Sequence, residues 1–406
     1  MTNKKTGIWI IGAWGGVATS FATGLAALQE GQADETGLVT GLPIFQELDL
    51  ADWHQFVIGG HEIRRTSYAA EARALYRESR VFNHELLDSV EPRLNECDRN
   101  VRAGTLLNVG KTIESLASAE ARKLRGEPPA TVIARVTDDL RRFQDQHQLD
   151  HVIVVNLAST EPPLEEGTSE KTWEELARAL DHAEESPLPA SSLYAVAAMQ
   201  SDCSYVNFTP SVGSDLPALW ELAAAQQVLH VGRDGKTGET LLKSVLGPMF
   251  AQRNLQVMSW VGHNIFGNRD GRVLDDPVNK ENKVRSKDQL VTKILGYSPQ
   301  TLVSIEYIES MADWKTAWDH IHFRGFLGTN MTMQFTWQGC DSLLAAPLVL
   351  DLVRLTEREW RRGKSGVMSH LCSFFKSPMG TEVAQYQKQV DLLEQWAQDV
   401  ARETNR

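Results

Sequence analysis

A chain of 406 residues exceeds the usual reach of one hydrophobic core, and 42% hydrophobic with 23% charged residues excludes a disordered or fibrous protein. A formal net charge of −12 without a dense run of Lys and Arg argues against nucleic-acid and membrane partners, so an anionic ligand has to meet a locally basic pocket. Cys97, Cys203, Cys340 and Cys372 form no Cys-x-x-Cys pair, and no apolar stretch nears the ~20 residues of a membrane span, so a soluble, cytoplasmic protein with reduced thiols is expected.

Met1 to Gly7 carries two lysines but runs directly into a strand-like segment too short for a secretory leader. That segment, Gly7-Ile-Trp-Ile-Ile-Gly12, is an apolar run stopped by glycine, and Val17 to Leu28 has apolar residues at helical spacing. Gln32 to Trp53 breaks the pattern and is expected to be an insertion before a second strand, Phe56-Val-Ile-Gly-Gly60. Helices are predicted over Ser67 to Ser79 and Thr131 to His147, and strands over His151 to Asn156, Tyr205 to Phe208 and Val228 to Val231. These strands are apolar at consecutive positions, as strands covered on both faces are, so the first part reads as a doubly wound parallel α/β sheet. From Leu255 the texture changes. Gln256 to Val261, Thr301 to Tyr307 and Met331 to Trp337 suggest an antiparallel sheet, and helices return over Leu343 to Arg361 and Val383 to Arg402.

Gly12-Ala-Trp-Gly15-Gly16-Val17-Ala18 lies between a strand and a helix, where glycine admits a pyrophosphate to the helix N-terminus. It departs from G-x-G-x-x-G at Trp14 and Ala18, and both a dinucleotide loop and a plain tight turn fit it. Glu62 is the candidate acceptor for the ribose hydroxyls and would favour NAD over NADP; the alternative is a solvated glutamate. Asn156-Leu-Ala158-Ser159-Thr160-Glu161 follows a strand at its C-terminal end, where open α/β sheets place ligands, although two prolines after it also suit an ordinary loop. Gly232-Arg-Asp234-Gly-Lys-Thr237-Gly238-Glu-Thr240 has the parts to wrap a phosphate, and a hairpin-like loop explains the glycines equally. His320-Ile-His322 lacks a third ligand nearby, so no metal is assigned.

These blocks, with Asn264-Ile-Phe-Gly-Asn268-Arg-Asp270, Arg285-Ser-Lys287, Asp313-Trp-Lys315, Asp341-Ser342 and Lys388-Gln389, follow one order and resemble the inositol-3-phosphate synthase family over nearly the whole chain. The resemblance implies a Rossmann-like sheet interrupted by an α+β catalytic and tetramerisation domain, divided as residues 1–240, 241–337 and 338–406. It implies a homotetramer that uses NAD to turn a small sugar phosphate, glucose 6-phosphate, into an inositol phosphate by C5 oxidation, C6 enolisation, aldol closure onto C1 and reduction. Lys287, Lys315 and Lys388 are then the catalytic cations, Thr237, Gly238 and Thr240 the phosphate loop, and Asn264 a substrate-side hydrogen-bonding group. The implied cofactor wall is Gly12, Gly15, Gly16, Val17, Glu62, Ala158, Ser159, Thr160, Asp234, Asn268, Asp270, Asp313, Asp341 and Ser342.

Two positions depart from the family pattern. Val291 stands where a phosphate-binding lysine is usual, with Lys293, Lys283 and Lys236 as possible replacements, and Cys340 stands where an acid commonly precedes the matched aspartate. Two alternatives follow: the same cyclisation on another sugar phosphate, or a non-catalytic NAD-binding scaffold.

Overall fold

The structure is a computed structural model that describes residues 4–164, 167–182, 186–268, 271 and 290–404. Its first sheet contains β1 (Thr6–Ile11), β2 (Phe56–Glu62), β3 (Val101–Ala103), β4 (His151–Asn156), β5 (Ser204–Asn207), β6 (Leu229–Gly232) and β11 (Gly366–Val367). All seven strands are parallel, in the spatial order β11-β6-β5-β4-β1-β2-β3. That is the Rossmann order extended by one strand, with the reversal of order between β1 and β4. Register sets Ile11 beside both His61 and Asn156, so the loops after β1, β2 and β4 open at the same edge.

Alternation along the strands divides the core. Ile8 and Ile10 face one apolar cluster, Trp9 and Ile11 the other, and all four are buried. The first cluster is covered by α1 (Gly16–Gln29), α2 (Tyr68–Ser79), α3 (His84–Asp98), α11 (Asp341–Arg361) and α12 (Tyr386–Thr404). The second is covered chiefly by α6 (Pro129–His147), α7 (Trp173–His182), α8 (Ala190–Met199) and α9 (Pro217–Gln226), with the short α4 (Lys111–Ser115) and α5 (Ala119–Arg122) beside them. Ser67 is not the first residue of α2 but its cap, accepting from the Ala70 N–H at 3.1 Å.

The segment expected to be an insertion before β2 is part of the core. It forms three 3-10 turns, buries Leu38, Phe45, Leu48 and Trp53, and is tied to α11 by Asp351. That carboxylate accepts from the Val39 and Thr40 N–H groups and the Thr40 hydroxyl at 2.7–2.9 Å, and burial pushes its pKa up to about 6.

The chain leaves the first sheet along α10 (Gly238–Gln252) and forms a second sheet from β7 (Gln256–Phe266), β8 (Gln300–Tyr307), β9 (Trp314–Arg324) and β10 (Asn330–Cys340). Its order is β10-β9-β7-β8. The expected antiparallel sheet is in fact mixed, because β8 lies parallel to β7 while the other two pairings are antiparallel. A parallel neighbour requires a crossover connection, and strand direction is not written in hydrophobic alternation. Inside the junction of α10 with this sheet, Glu239 and Lys243 form an ion pair of 2.7 Å with both side chains 2% exposed. No helix among the described residues is long and apolar enough to cross a membrane.

Candidate active site

One cavity opens at the switch point between β1 and β4. Gly12, Gly15, Gly16, Val17, Glu62, Ala158, Ser159, Thr160, Asp234, Asn268, Asp313, Asp341 and Ser342 all line it, as does Thr237. Asp270 and Lys287 lie outside the described residues. Gly12 adopts φ +79°, and a Cβ there would come within 2.8 Å of the Ala158 backbone, so the turn after β1 has room for glycine alone. Helix α1 starts with neither a capping side chain nor an acidic residue in its first turn. Its opening N–H groups are therefore available to an anion, and the Thr160 hydroxyl, buried in the same wall, has no partner among the described residues. An uncapped helix start beside an unpartnered hydroxyl fits a dinucleotide diphosphate.

Glu62 is in place but engaged. Its Oε1 accepts from the Ile63 and Arg64 N–H groups at 2.8 and 3.1 Å, and its Oε2 from the Trp14 N–H at 3.0 Å and Arg64 Nη2 at 3.1 Å. With the lone-pair directions of both oxygens taken, this carboxylate braces the glycine loop, and a ribose hydroxyl has to displace one of those donors. Arg64, missed at the sequence level, lines the cavity while bonded to Glu62, Glu71 and the Trp14 carbonyl.

Asp313 joins the second sheet to the wall of the first cavity. Its Oδ1 accepts from the Ser342 hydroxyl at 2.9 Å, and its Oδ2 from the Ser342 N–H at 3.0 Å and the Cys340 thiol at 2.9 Å. It therefore caps the start of α11 from the turn just before β9, and burial raises its pKa. Cys340 matters here as a donor: an ionised acid in its place would face the Asp313 carboxylate. Lys315 lies on β9, with Nζ 3.7 Å from Asp341 Oδ1 and 5.2 Å from the Phe266 ring centroid.

Lys388 and Lys315 line neither cavity among the described residues. The buried stripe of α12 is Gln389, Leu393, Trp396, Ala397 and Val400, which turns the preceding lysine outward, and Lys388 is exposed and lines no cavity described here. Among the described residues, the lysine that lines the first cavity is Lys376, alongside Arg64. The chain around Arg233–Lys236 zips against Phe374–Ser377 through main-chain bonds, including Lys376 N to Asp234 O and Lys236 N to Phe374 O, and an isolated bridge joins Gly235 to Phe375. Lys376 Nζ then reaches Asp234 Oδ1 at 2.7 Å. Both residues line this first cavity and also a second cavity beside it, walled by Arg233, Lys236, Lys293, Thr160 and Glu161 among others. The sequence signal for Lys376 is weak: one cation after two aromatic residues.

Of the expected phosphate loop, Thr237 lines the first cavity, while Gly238 and Thr240 are buried in the first turn of α10. Gly238 has φ +47°, and a Cβ there would lie 3.0 Å from Trp337 Nε1. Asn264 is fully buried on β7 and lines neither cavity. Val291 is buried in an apolar cluster with Phe250, Trp260, Ile321 and Phe323, so its side chain packs in the core of the second sheet. Glu161 lines both cavities and accepts from the Ser191 N–H and hydroxyl at the start of α8; burial pushes its pKa up to about 7. Among the described residues, no group of three His, Cys, Asp or Glu side chains is placed to hold a metal.

Comparison with known proteins bears on this arrangement. The family model described as myo-inositol-1-phosphate synthase matches residues 6–398. The chain is 32% identical to inositol-3-phosphate synthase 1 of Bacteroides thetaiotaomicron, across 97% of this chain and 93% of that protein. It is 29% identical to the mouse inositol-3-phosphate synthase 1 across 85% of this chain but spans 64% of the mouse protein's length. In fold it superposes on inositol-3-phosphate synthase of Caenorhabditis elegans with a TM-score of 0.85 at 24% identity, covering 98% of this chain and 86% of that one. A myo-inositol-1-phosphate synthase-related protein from Thermotoga maritima gives 0.78 at 23% identity, covering 97% and 98%. Since the family match runs from β1 through the second sheet into α12, the chain belongs to the myo-inositol-1-phosphate synthase family.

Proposed function

We propose that the protein is an NAD-dependent, redox-neutral synthase that converts glucose 6-phosphate into an inositol phosphate. The observation that carries this reading is the Lys376–Asp234 pair, which sits where the dinucleotide cavity meets a second cavity rich in cations. A nicotinamide bound in the first cavity supplies hydride acceptance and return. The remaining work belongs to side chains. Lys376, held by Asp234, presents an ammonium group to oxygens that gain negative charge during enolisation and ring closure. Lys315 offers a second ammonium from β9, held by Asp341. Asp313 fixes the start of α11 and so the wall between the two sheets. Asn268 is within 3.4 Å of the same carboxylate, and Lys287 remains a catalytic candidate from the family resemblance.

The division of the chain into residues 1–240, 241–337 and 338–406 is supported by which strands share a sheet. Self-association as a homotetramer is supported by Trp314, Trp318, Leu302 and Met331, all exposed on the second sheet; light scattering that returns a monomer at micromolar concentration would remove it. The function is tested by incubating the protein with glucose 6-phosphate and a catalytic amount of NAD and following products by phosphorus NMR. Inositol phosphate in excess over NAD, lost in Lys376→Ala, supports the reading; NAD binding with untouched glucose 6-phosphate defeats it. The position of Val291 in an apolar core favours, as a second reading, the same cyclisation on a different sugar phosphate, to be sought by screening other hexose and pentose phosphates.

A further inference from the structure

The first cavity carries a cation where a ribose is expected. Arg64 stands two residues beyond the end of β2, lines the cavity with its side chain 16% exposed, and holds the Trp14 carbonyl of the glycine turn. In a dinucleotide fold an arginine at this place receives the 2′-phosphate of NADP, whereas an acid at the strand end receives the ribose hydroxyls of NAD. This chain has both. The Glu62 side chain, however, is 4% exposed and engages four donors, one of them Arg64 Nη2 at 3.1 Å, so its hold on the coenzyme runs chiefly through the glycine turn that it braces.

What Arg64 can offer a phosphate is decided from α2. Its Nη1 lies 3.4 Å from Glu71 Oε1, and Glu71 sits in the first turn of that helix, where the N-terminus favours negative charge. Glu71, Ala74, Leu75 and Glu78 recur at helical spacing and all line the cavity, so one face of α2 runs along it with a carboxylate at each end. Glu62, Glu71 and Glu78 thus set three carboxylates against this guanidinium. A cation forked between two acids has its charge compensated and its donors engaged, and the excess of negative charge repels a further dianion.

We propose that coenzyme choice in this chain is made by the Arg64–Glu71 pair: Glu71 neutralises the guanidinium against α2 and so excludes a 2′-phosphate, while Glu62 serves as the brace of the glycine turn. This rests on the dinucleotide reading of the first cavity, whatever the reaction carried out there. The two acids then have separable effects. Loss of Glu62 slackens the turn through the Trp14 N–H and weakens both coenzymes together; loss of Glu71 releases Arg64 toward a 2′-phosphate and narrows the difference between them.

The test is fluorescence titration of the full chain with NADH and with NADPH, neither of which has to turn over. Glu71→Gln is expected to raise the NADPH-to-NADH affinity ratio at least about tenfold, the worth of one charge-assisted contact, and the gain is expected to shrink as salt is raised. Adding Arg64→Gln to Glu71→Gln should abolish the gain, and Arg64→Lys, a point charge without the fork, should keep part of it. Glu62→Gln should weaken both coenzymes with their ratio moved by less than about threefold. A ratio unmoved in folded Glu71→Gln, a gain that survives Arg64→Gln, an equal gain in Glu62→Gln, or a wild type that binds NADPH as tightly as NADH overturns the proposal and leaves the dinucleotide reading standing. A wild type that binds neither coenzyme defeats that reading and the proposal with it.

Discussion

Replacing Lys243 by methionine tests whether the junction between α10 and the second sheet is held by charge. The lysine and Glu239 are 2.7 Å apart, each side chain 2% exposed, one turn apart on the helix. Lys243 Nζ also lies 5.9 Å from the Trp260 ring centroid, and Trp260 Nε1 donates to Asp319 at 2.7 Å, so the pair sits in a dry, polar knot. Methionine keeps the volume of the side chain but leaves the Glu239 carboxylate buried without its cation. Losing one partner of a buried pair costs about 3–5 kcal/mol, whereas removing both charges together is often near neutral. The single variant should therefore lower the thermal midpoint by at least about 5 °C, and Glu239→Met with Lys243→Met should recover most of the loss. Differential scanning calorimetry reads both. A single variant within about 2 °C of wild type, or a double variant no better than the single, would refute the idea that this junction depends on paired charge.

Three further outcomes are expected. Gly12→Ala forces a Cβ to 2.8 Å from the Ala158 backbone at φ +79°, so NADH affinity measured by fluorescence should fall by more than tenfold and the midpoint should drop by a few degrees; unchanged NADH binding would mean that the glycine loop does not contact the dinucleotide. Asp351 has its folded pKa raised to about 6 from 3.8, so the fold prefers the protonated carboxyl: the associated stabilisation is complete below about pH 3.8 and is lost as pH rises through 6, amounting to about 3 kcal/mol. The midpoint difference between wild type and Asp351→Asn should therefore shift in favour of Asn between pH 4 and 6.5, and a flat difference would contradict it. Lys376→Ala should reduce kcat by at least about a hundredfold with NADH affinity retained, because its role is at the reacting oxygens and not at the diphosphate. A Lys376→Ala enzyme with near-normal kcat would remove it from the chemistry.

The parallel sheet was legible because its strands are uninterrupted apolar runs such as Val152 to Val155, a pattern produced only by cover on both faces. The lining of the first cavity was legible for a similar reason: strand ends at a switch point are fixed once the strands are known, so Gly12, Ala158 and Thr160 fall together. The direction of β8 was not, since alternation is blind to polarity. Nor was the place of Lys376 at the cavity. Lys388 and Gln389 are adjacent in sequence, yet the helix turns about 100° between them, and only the amide faces inward. Lys376 and Lys236 meet through strands more than a hundred residues apart, a pairing that no local pattern encodes.

The order in which the chain is completed carries a consequence for its synthesis. Helix α1 leaves a ribosome some three hundred residues before α11, against which it packs, and the same core is closed by Leu393, Trp396 and Val400, later still. The dinucleotide half therefore cannot reach its final packing while the middle sheet is still being made, and its apolar face must wait, uncovered, for almost the whole chain. At about 5–20 residues per second, the interval between α1 and α12 is tens of seconds, a window in which a nascent chain of this kind is exposed to chaperones and to aggregation.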